Sequence, residues 1–261
     1  MPQQNNGSQA SIIDPSATVD AAAACQEHAA AAWQVANALP YRLVPDLVLS
    51  NIKKAESYVA ARRDEIQEHF PKIPIADLDG LGRLALGLKY AAMVAEGAEP
   101  SEGEVSKVIA EAWELRGKLL PAVASMAAAG LVPQATYERI ARGRGVRDAA
   151  QDCVELAQVF RDGGAALDGK HPVTGEQIER AALVGSWLLK HLKVKGARPE
   201  KAAKGDDVEL RNRMATLLVE RYTRLQAVAH YFEGDAWAEV VPPLMTRQAT
   251  RREVEEPAAT E

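Results

Sequence analysis

The sequence predicts an all-α fold, a multi-helix bundle of about eight helices with flexible or extended N- and C-terminal arms. Two observations support this prediction. Apolar residues recur every three or four positions along most of the chain, which is the spacing of one helix face. Alanine, the residue with the highest helix propensity, is abundant, whereas aromatic residues make up only 5% of the chain.

The predicted organisation is one bundle between two arms. Residues 1–13 are rich in Gln, Asn and Ser and are predicted to form a flexible arm. Residues 14–233 are predicted to form the bundle. Any subdivision of it is expected near 97–101 or 162–173, where glycine and other loop-forming residues collect. Residues 234–261 are predicted to form an extended arm followed by a polar tail.

Prolines delimit the first three predicted helices, at residues 14–39, 45–70 and 77–95. Proline is favoured in the first turn of a helix and cannot continue a helix that it interrupts. The third helix contains Gly80, Gly82 and Gly87, and each glycine inside a helix costs about 1 kcal/mol relative to alanine. We expect close approach of a neighbouring helix to compensate for this cost, because glycine has no side chain to hold that helix away.

A capping box predicts the start of the fourth helix. Ser101 and Glu104 have the S-x-x-E spacing, in which each side chain binds a backbone N–H of the other residue. Pro121 is expected to kink this helix. A short fifth helix is predicted at residues 134–141 and a sixth at residues 146–160.

The last two helices are predicted from a cap and from a regular apolar stripe. Thr174 is expected to cap the seventh helix. The eighth, at residues 206–232, has the most regular stripe in the chain. It carries three acid-first pairs four residues apart, a spacing that stabilises helices: Asp207–Arg211, Glu209–Arg213 and Glu220–Arg224.

Charge and hydropathy exclude some classes of protein. The net charge of −5 argues against bulk attraction to nucleic acid or to an anionic membrane. No apolar run approaches the roughly 18 to 20 residues of a membrane span, and the N-terminus lacks the features of a secretory signal. Cys25 and Cys153 have no metal or disulfide spacing and are interpreted as small buried hydrophobes. The sequence therefore predicts a soluble, cytoplasmic protein without a membrane partner.

Motifs for catalysis, metals and nucleotides are absent or lack their structural context. The chain has no Glu-x-x-His pair, no HExxH and no P-loop. Gly80, Gly82 and Ala85 match the relaxed dinucleotide motif GxGxxA, but no strands surround them. Cys25 and His28 share a helix face without a polar group to orient them. A non-catalytic role is therefore favoured, with no cofactor, no metal and no catalytic residue.

Charged segments are the candidate interaction sites. Arginines without an intervening acid straddle a Gly-x-Gly turn at residues 139–147, lysines dominate 190–204, and glutamates dominate 96–114. The predicted interaction residues in these segments are Arg139, Arg142, Arg144, Arg147, Lys190, Lys193, Lys195, Glu102, Glu104 and Glu111. A simpler interpretation is that they are solvated helix ends, with each charge placed to suit a helix dipole.

An apolar segment near the C-terminus supplies the remaining predicted interaction residues, Trp237, Leu244 and Met245. Two consecutive prolines, Pro242 and Pro243, cannot continue a helix and favour an extended conformation. Such an arm either packs over its own bundle or reaches into a neighbouring molecule.

Three functions follow from these observations. The first is a scaffold or assembly subunit that binds itself, as a homo-oligomer, or another protein through complementary charged patches and arms. The second is a ligand-binding module with an apolar pocket between helices, lined by Trp33, Trp113 and Trp187. The third is phosphate or nucleic-acid binding through residues 139–147 and 190–204. This third function is disfavoured because no aromatic residue is interleaved with the basic ones.

Overall fold

The computed structural model describes residues 15–192 and 204–247. The predicted N-terminal arm, Lys193, Lys195 and the predicted polar tail after residue 247 lie outside these ranges. Within them the chain forms helices and no strand, so the all-α prediction is confirmed. The α-helices are α1 (Pro15–Trp33), α2 (Pro45–Ala61), α3 (Arg63–His69), α4 (Ile75–Asp79), α5 (Leu81–Ala95), α6 (Glu102–Ala128), α7 (Gln134–Ala141), α8 (Val146–Gly163), α9 (Gly175–His191), α10 (Lys204–Glu233) and α11 (Trp237–Val240).

Capping residues explain the helix boundaries that were predicted correctly. The Ser101 hydroxyl accepts a hydrogen bond from the Glu104 N–H, and the Glu104 carboxylate accepts one from the Ser101 N–H, which completes the predicted capping box of α6. Thr174 caps α9 in the same way, with Gln177 as its partner. The bounds of α7 are those predicted. Pro121 lies inside α6, which continues through it.

Two of the predicted helices are each divided in two. The second is interrupted at Arg62, whose guanidinium binds Glu65 at 2.6 Å and Glu233 of α10 at 2.9 Å. The third is interrupted at Gly80. The first turn of α5 is then capped by Glu56, whose Oε1 accepts from the Gly82 N–H at 3.1 Å. Both breaks involve groups distant in sequence, so helix periodicity did not indicate them.

The first helix ends six residues earlier than predicted, at Trp33 rather than before Pro40. Arg213 of α10 donates to the carbonyl oxygens of Trp33 and Val35. These carbonyls lie at the helix end, where backbone acceptors have no partner within the helix. A side chain about 180 positions away in sequence thus caps α1.

The helices pack in two groups around one continuous core. In the first group α5 contacts α1, α2 and α10, and in the second α6, α8 and α9 contact one another. Helix α1 contacts both α6 and α9 and so joins the groups. Buried apolar side chains form a single cluster from Val19 on α1 to Leu244 near the C-terminus. The loop predicted at 162–173 begins later than expected, because α8 extends to Gly163. Residues 164–174 connect α8 to α9, and these two helices pack closely along each other.

The C-terminal segment packs against its own bundle. Trp237 is partly buried on the core, Leu244 is buried, and the Met245 sulfur accepts from the Val44 N–H at 3.4 Å. Residues 234–240 form a 3-10 turn and α11, so the prediction of an extended arm is wrong for this part. The short helix directs Val241, which is fully buried, toward the core. No helix among the described residues is long and apolar enough to cross a membrane.

Asn51 of α2 holds this segment in place. It is fully buried, and its amide nitrogen lies 3.3 Å, 2.9 Å and 2.9 Å from three carbonyl oxygens, those of Pro243, Leu244 and Thr246. The Tyr222 hydroxyl donates to the carbonyl of Pro242 at 2.6 Å. A buried donor amid backbone acceptors therefore fixes the path of the C-terminal segment.

Replacing Asn51 by aspartate should detach this segment and lower the free energy of unfolding by about 2 kcal/mol, since a carboxylate cannot donate to the carbonyls that it would face. Urea denaturation measures the loss of stability, and chymotrypsin cleavage within residues 237–245 reports the detachment. Ser50→Asp, which adds the same charge at the exposed neighbouring position, is the control. Unchanged protection of the segment in Asn51→Asp would contradict the role of Asn51.

Candidate functional site

The turn between α7 and α8 presents the predicted arginines. The Asp148 carboxylate accepts hydrogen bonds from the backbone N–H groups of Arg144 at 3.0 Å and Gly145 at 2.9 Å. These bonds hold the pKa of Asp148 below its usual value. A Cβ added at Gly143 would lie 2.8 Å from that of Asp148, so the tight turn requires glycine there. Its compact backbone leaves the neighbouring side chains directed outward.

The four arginines of this segment are not equivalent. Arg139 forms an ion pair with Glu155 on α8. Arg142, Arg144 and Arg147 are exposed, and none of them lies within 4.0 Å of a carboxylate in the part of the chain that the structure describes. Three guanidinium groups are therefore available to an acidic ligand.

An exposed tryptophan, Trp113 of α6, is connected to this turn through Arg116. It is 37% exposed, and the Arg116 guanidinium carbon lies 5.6 Å from the centre of its ring. Arg116 also donates to the carbonyl of Gly143 in the turn at 3.1 Å. Tertiary packing thus links an aromatic side chain to the turn that carries the arginines, although no aromatic residue lies within the basic segment itself. Only the (i, i+3) spacing of Trp113 and Arg116 could have hinted at this pairing.

A buried ion pair holds Arg116 in position. Its Nε donates to Asp152 of α8 at 2.6 Å, and the two side chains are 14% and 8% exposed. Burial raises the pKa of Asp152, and the hydrogen bond from Arg116 opposes that rise. Cys153 follows Asp152 in α8. Burial raises the pKa of its thiol to about 12, and the thiol donates a hydrogen bond to the carbonyl oxygen of Ala112. Cys153 is therefore a packing residue, as predicted.

The acidic residues predicted for intermolecular contact are largely used within the molecule. Burial acts to raise the pKa of Glu104, but hydrogen bonds from Ser101 and Thr18 outweigh it and lower the pKa. Glu111 receives two hydrogen bonds from Arg180 on α9, at 2.6 Å and 3.0 Å. Of the three predicted glutamates, Glu102 is exposed at the start of α6 and has no ion pair with a described residue.

The predicted lysine segment lies mostly outside the described residues. Lys190 is exposed near the end of α9, with its amino nitrogen 5.7 Å from the centre of the Tyr90 ring. Lys190 is 43 positions or more from the three exposed arginines in sequence, and it lines a separate cavity between α1, α5, α9 and α10.

That cavity is not lined by the tryptophans predicted for a ligand pocket. Trp33 is 44% exposed beside Arg213, Trp113 lies on the surface described above, and Trp187 is buried in the core. The cavity of about 160 Å³ is lined instead by aliphatic residues, by Cys25, Gln26 and Tyr90, and by the charged residues Lys190 and Asp207.

No group of three or more potential ligands that could hold a metal occurs among residues 15–192 and 204–247.

Comparison of the chain with protein-family models, with curated proteins and with solved structures found no match. The site is therefore interpreted from its own geometry.

Proposed function

We propose that this protein is a non-catalytic helical interaction subunit that binds an acidic segment of a partner protein. The binding surface is the arginine–tryptophan surface, which consists of Trp113, Arg116, Arg142, Arg144 and Arg147. The observation that supports this proposal is the contact of Arg116 with both the Trp113 ring and the turn that carries the three exposed arginines.

The chemistry of these side chains suits an acidic peptide. A guanidinium group can form two parallel hydrogen bonds to one carboxylate, which adds geometric specificity to the charge attraction. Tryptophan and arginine are the residues most enriched among those that dominate protein–protein binding energy. The open space around Gly117, four residues after Trp113 on α6, leaves room for a chain to lie along the ring.

An acidic protein fits this surface better than nucleic acid does. Affinity for nucleic acid grows with the number of phosphates neutralised. The surface offers three arginines that pair with no described carboxylate, on a chain of net charge −5. Proteins that bind single-stranded nucleic acid also use several aromatic residues, on which successive bases stack. Among the described residues, a single exposed tryptophan, Trp113, accompanies these arginines.

The partner is proposed to be another protein rather than a second copy. Self-association through complementary patches would need the acidic residues of the same chain, and Glu104 and Glu111 already bind Thr18 and Arg180 internally. We place the interaction in the cytoplasm, in keeping with the two free, buried cysteines, because reducing compartments keep thiols unpaired.

Reversing the charge of Arg142, Arg144 and Arg147 to glutamate should weaken binding of a fluorescent Asp- and Glu-rich peptide by about tenfold or more at low salt. Fluorescence anisotropy measures the dissociation constant. The matched control is the triple variant Lys53→Glu, Lys54→Glu, Lys72→Glu, which changes the net charge equally at exposed positions elsewhere.

Trp113→Ala should weaken the same binding by about fivefold or more, because the peptide loses an aromatic contact. Tighter binding of a single-stranded oligonucleotide than of the peptide would reject an acidic protein in favour of nucleic acid. Equal loss of binding in the lysine control would show that net charge alone is responsible. A dimer in light scattering that the arginine variant dissociates would reject a separate partner in favour of self-association.

A further inference from the structure

The cavity between α1, α5, α9 and α10 has apolar walls and two charged groups. Its walls include Ala22 and Ala29 of α1, Ala91 and Val94 of α5, and Leu210 of α10. Its volume is about 160 Å³. An apolar cavity of about 150 Å³ holds a benzene molecule, so this one accommodates an aliphatic group of similar size.

The two charged residues that line the cavity, Lys190 and Asp207, lack ion-pair partners. Neither lies within 4.0 Å of an oppositely charged side chain among the residues that the structure describes, nor do they pair with each other. Both nevertheless act on the pKa values of Cys25 and Tyr90, with Lys190 lowering and Asp207 raising each value. A positive and a negative group therefore face the same inner wall.

The predicted helix pair between Asp207 and Arg211 is not among the ion pairs of α10, although the equivalent pair between Glu209 and Arg213 is, at 2.7 Å. Arg211 instead donates to the side-chain oxygen of Asn212 at 3.0 Å, and its guanidinium carbon lies 4.8 Å from the centre of the Tyr41 ring. These contacts draw Arg211 away and leave the carboxylate of Asp207 at the cavity.

We infer that this cavity binds a small zwitterion, an α-amino acid with a branched aliphatic side chain. The ligand's ammonium group pairs with Asp207 and its carboxylate with Lys190, while its side chain contacts Ala29, Ala91 and Val94. This site is distinct from the arginine–tryptophan surface and does not depend on the function proposed for that surface. Opposite charges held apart over an apolar wall match a molecule with the same three features.

The site binds its ligand without transforming it. Burial raises the pKa of Cys25 to about 11, so the thiol stays protonated, and its sulfur lies 3.8 Å from that of Met214. The Tyr90 hydroxyl lies 3.3 Å from Nε2 of His191, whose own pKa is lowered by burial. Of these groups, Cys25 and Tyr90 line the cavity, and Met214 and His191 lie behind them.

Isothermal titration calorimetry of the full-length protein with leucine and with valine tests this inference. We expect saturable binding of at least one of them. Two analogues of leucine that each lack one charge, 4-methylpentanoate and 3-methylbutylamine, should bind about tenfold more weakly or worse, since each leaves one charged residue without a partner.

Variants of this chain complete the test. Asp207→Asn and Lys190→Met should each weaken binding by about tenfold, whereas Asp206→Asn in the same helix turn and Lys107→Met on α6 should leave it unchanged. Ala29→Leu, which fills the cavity from a partly exposed position, should abolish binding. The melting temperature of the Ala29→Leu variant without ligand shows whether this variant folds. The inference is overturned if neither amino acid binds, if the analogues bind as tightly as leucine, or if Asp207→Asn and Lys190→Met bind like the wild type.

Discussion

Gly87→Ala and Gly185→Ala are each expected to lower the free energy of unfolding by about 3 kcal/mol, through overpacking at two helix crossings. A Cβ at Gly87 of α5 would lie 2.8 Å from backbone atoms of Ala24 and Cys25 on α1. A Cβ at Gly185 of α9 would lie 2.5 Å from the carbonyl oxygen of Ala150 on α8. Because the obstacle is backbone, relief requires two helices to move apart, and α1–α5 and α8–α9 are the most closely packed pairs.

Gly117→Ala is the matched control for both variants. Gly117 lies in the interior of α6, where an added Cβ would meet no atom within 4 Å. Alanine should therefore stabilise the protein there by about 0.5 to 1 kcal/mol, since it has the higher helix propensity. Urea denaturation of the three variants measures the difference. A stabilising effect at Gly87 or Gly185 would contradict the close approach of the helices at that position.

Arg116→Met should lower the free energy of unfolding at neutral pH by about 3 kcal/mol, because it leaves the buried carboxylate of Asp152 without its cation. Methionine preserves much of the apolar stem of arginine, so the loss reports the charge. The double variant Arg116→Met, Asp152→Leu should recover most of the stability, since replacing both partners by apolar groups removes the unpaired charge. A double variant as unstable as the single one would contradict this account.

The effect of Arg116→Met should depend on pH in a defined direction. Burial raises the pKa of Asp152 above its ordinary value, and Arg116 opposes that rise, so removing Arg116 raises the pKa further. A carboxyl whose pKa is higher in the folded state destabilises the fold progressively as the pH rises from the unfolded to the folded pKa. The stability difference between wild type and variant should therefore be smallest near about pH 4 and largest at neutral pH. Thermal unfolding across this range measures it.

Much of the helical framework could be predicted from local signals. The Ser101–Glu104 box, the Thr174 cap and the bounds of α7 depend on residues within one helix turn of the boundary, so the sequence pattern was sufficient. The expected close approach at Gly87 is confirmed as well, because a Cβ added there would meet the backbone of α1.

Boundaries that depend on distant side chains were not predicted. Arg213 caps the end of α1, and Arg62 binds Glu233 of α10 where the second predicted helix divides. In both cases an arginine side chain joins a helix end to a residue that is distant in sequence. Helix propensity contains no information about such contacts, because they exist only after the helices have packed.

Some features of the candidate site could likewise be predicted from the sequence, and others could not. The sequence by itself determined that the chain is helical and that arginines with no acidic residue between them cluster at the turn before α8, since both follow from spacing along the chain. Only the tertiary structure decided that Arg116 links Trp113 to that turn, that Glu111 binds Arg180 instead of a partner, and that the C-terminal segment binds Asn51. The physical reason is that local pattern sets the backbone conformation of each helix. Which charged and aromatic groups remain available is set by side chains that meet across helices.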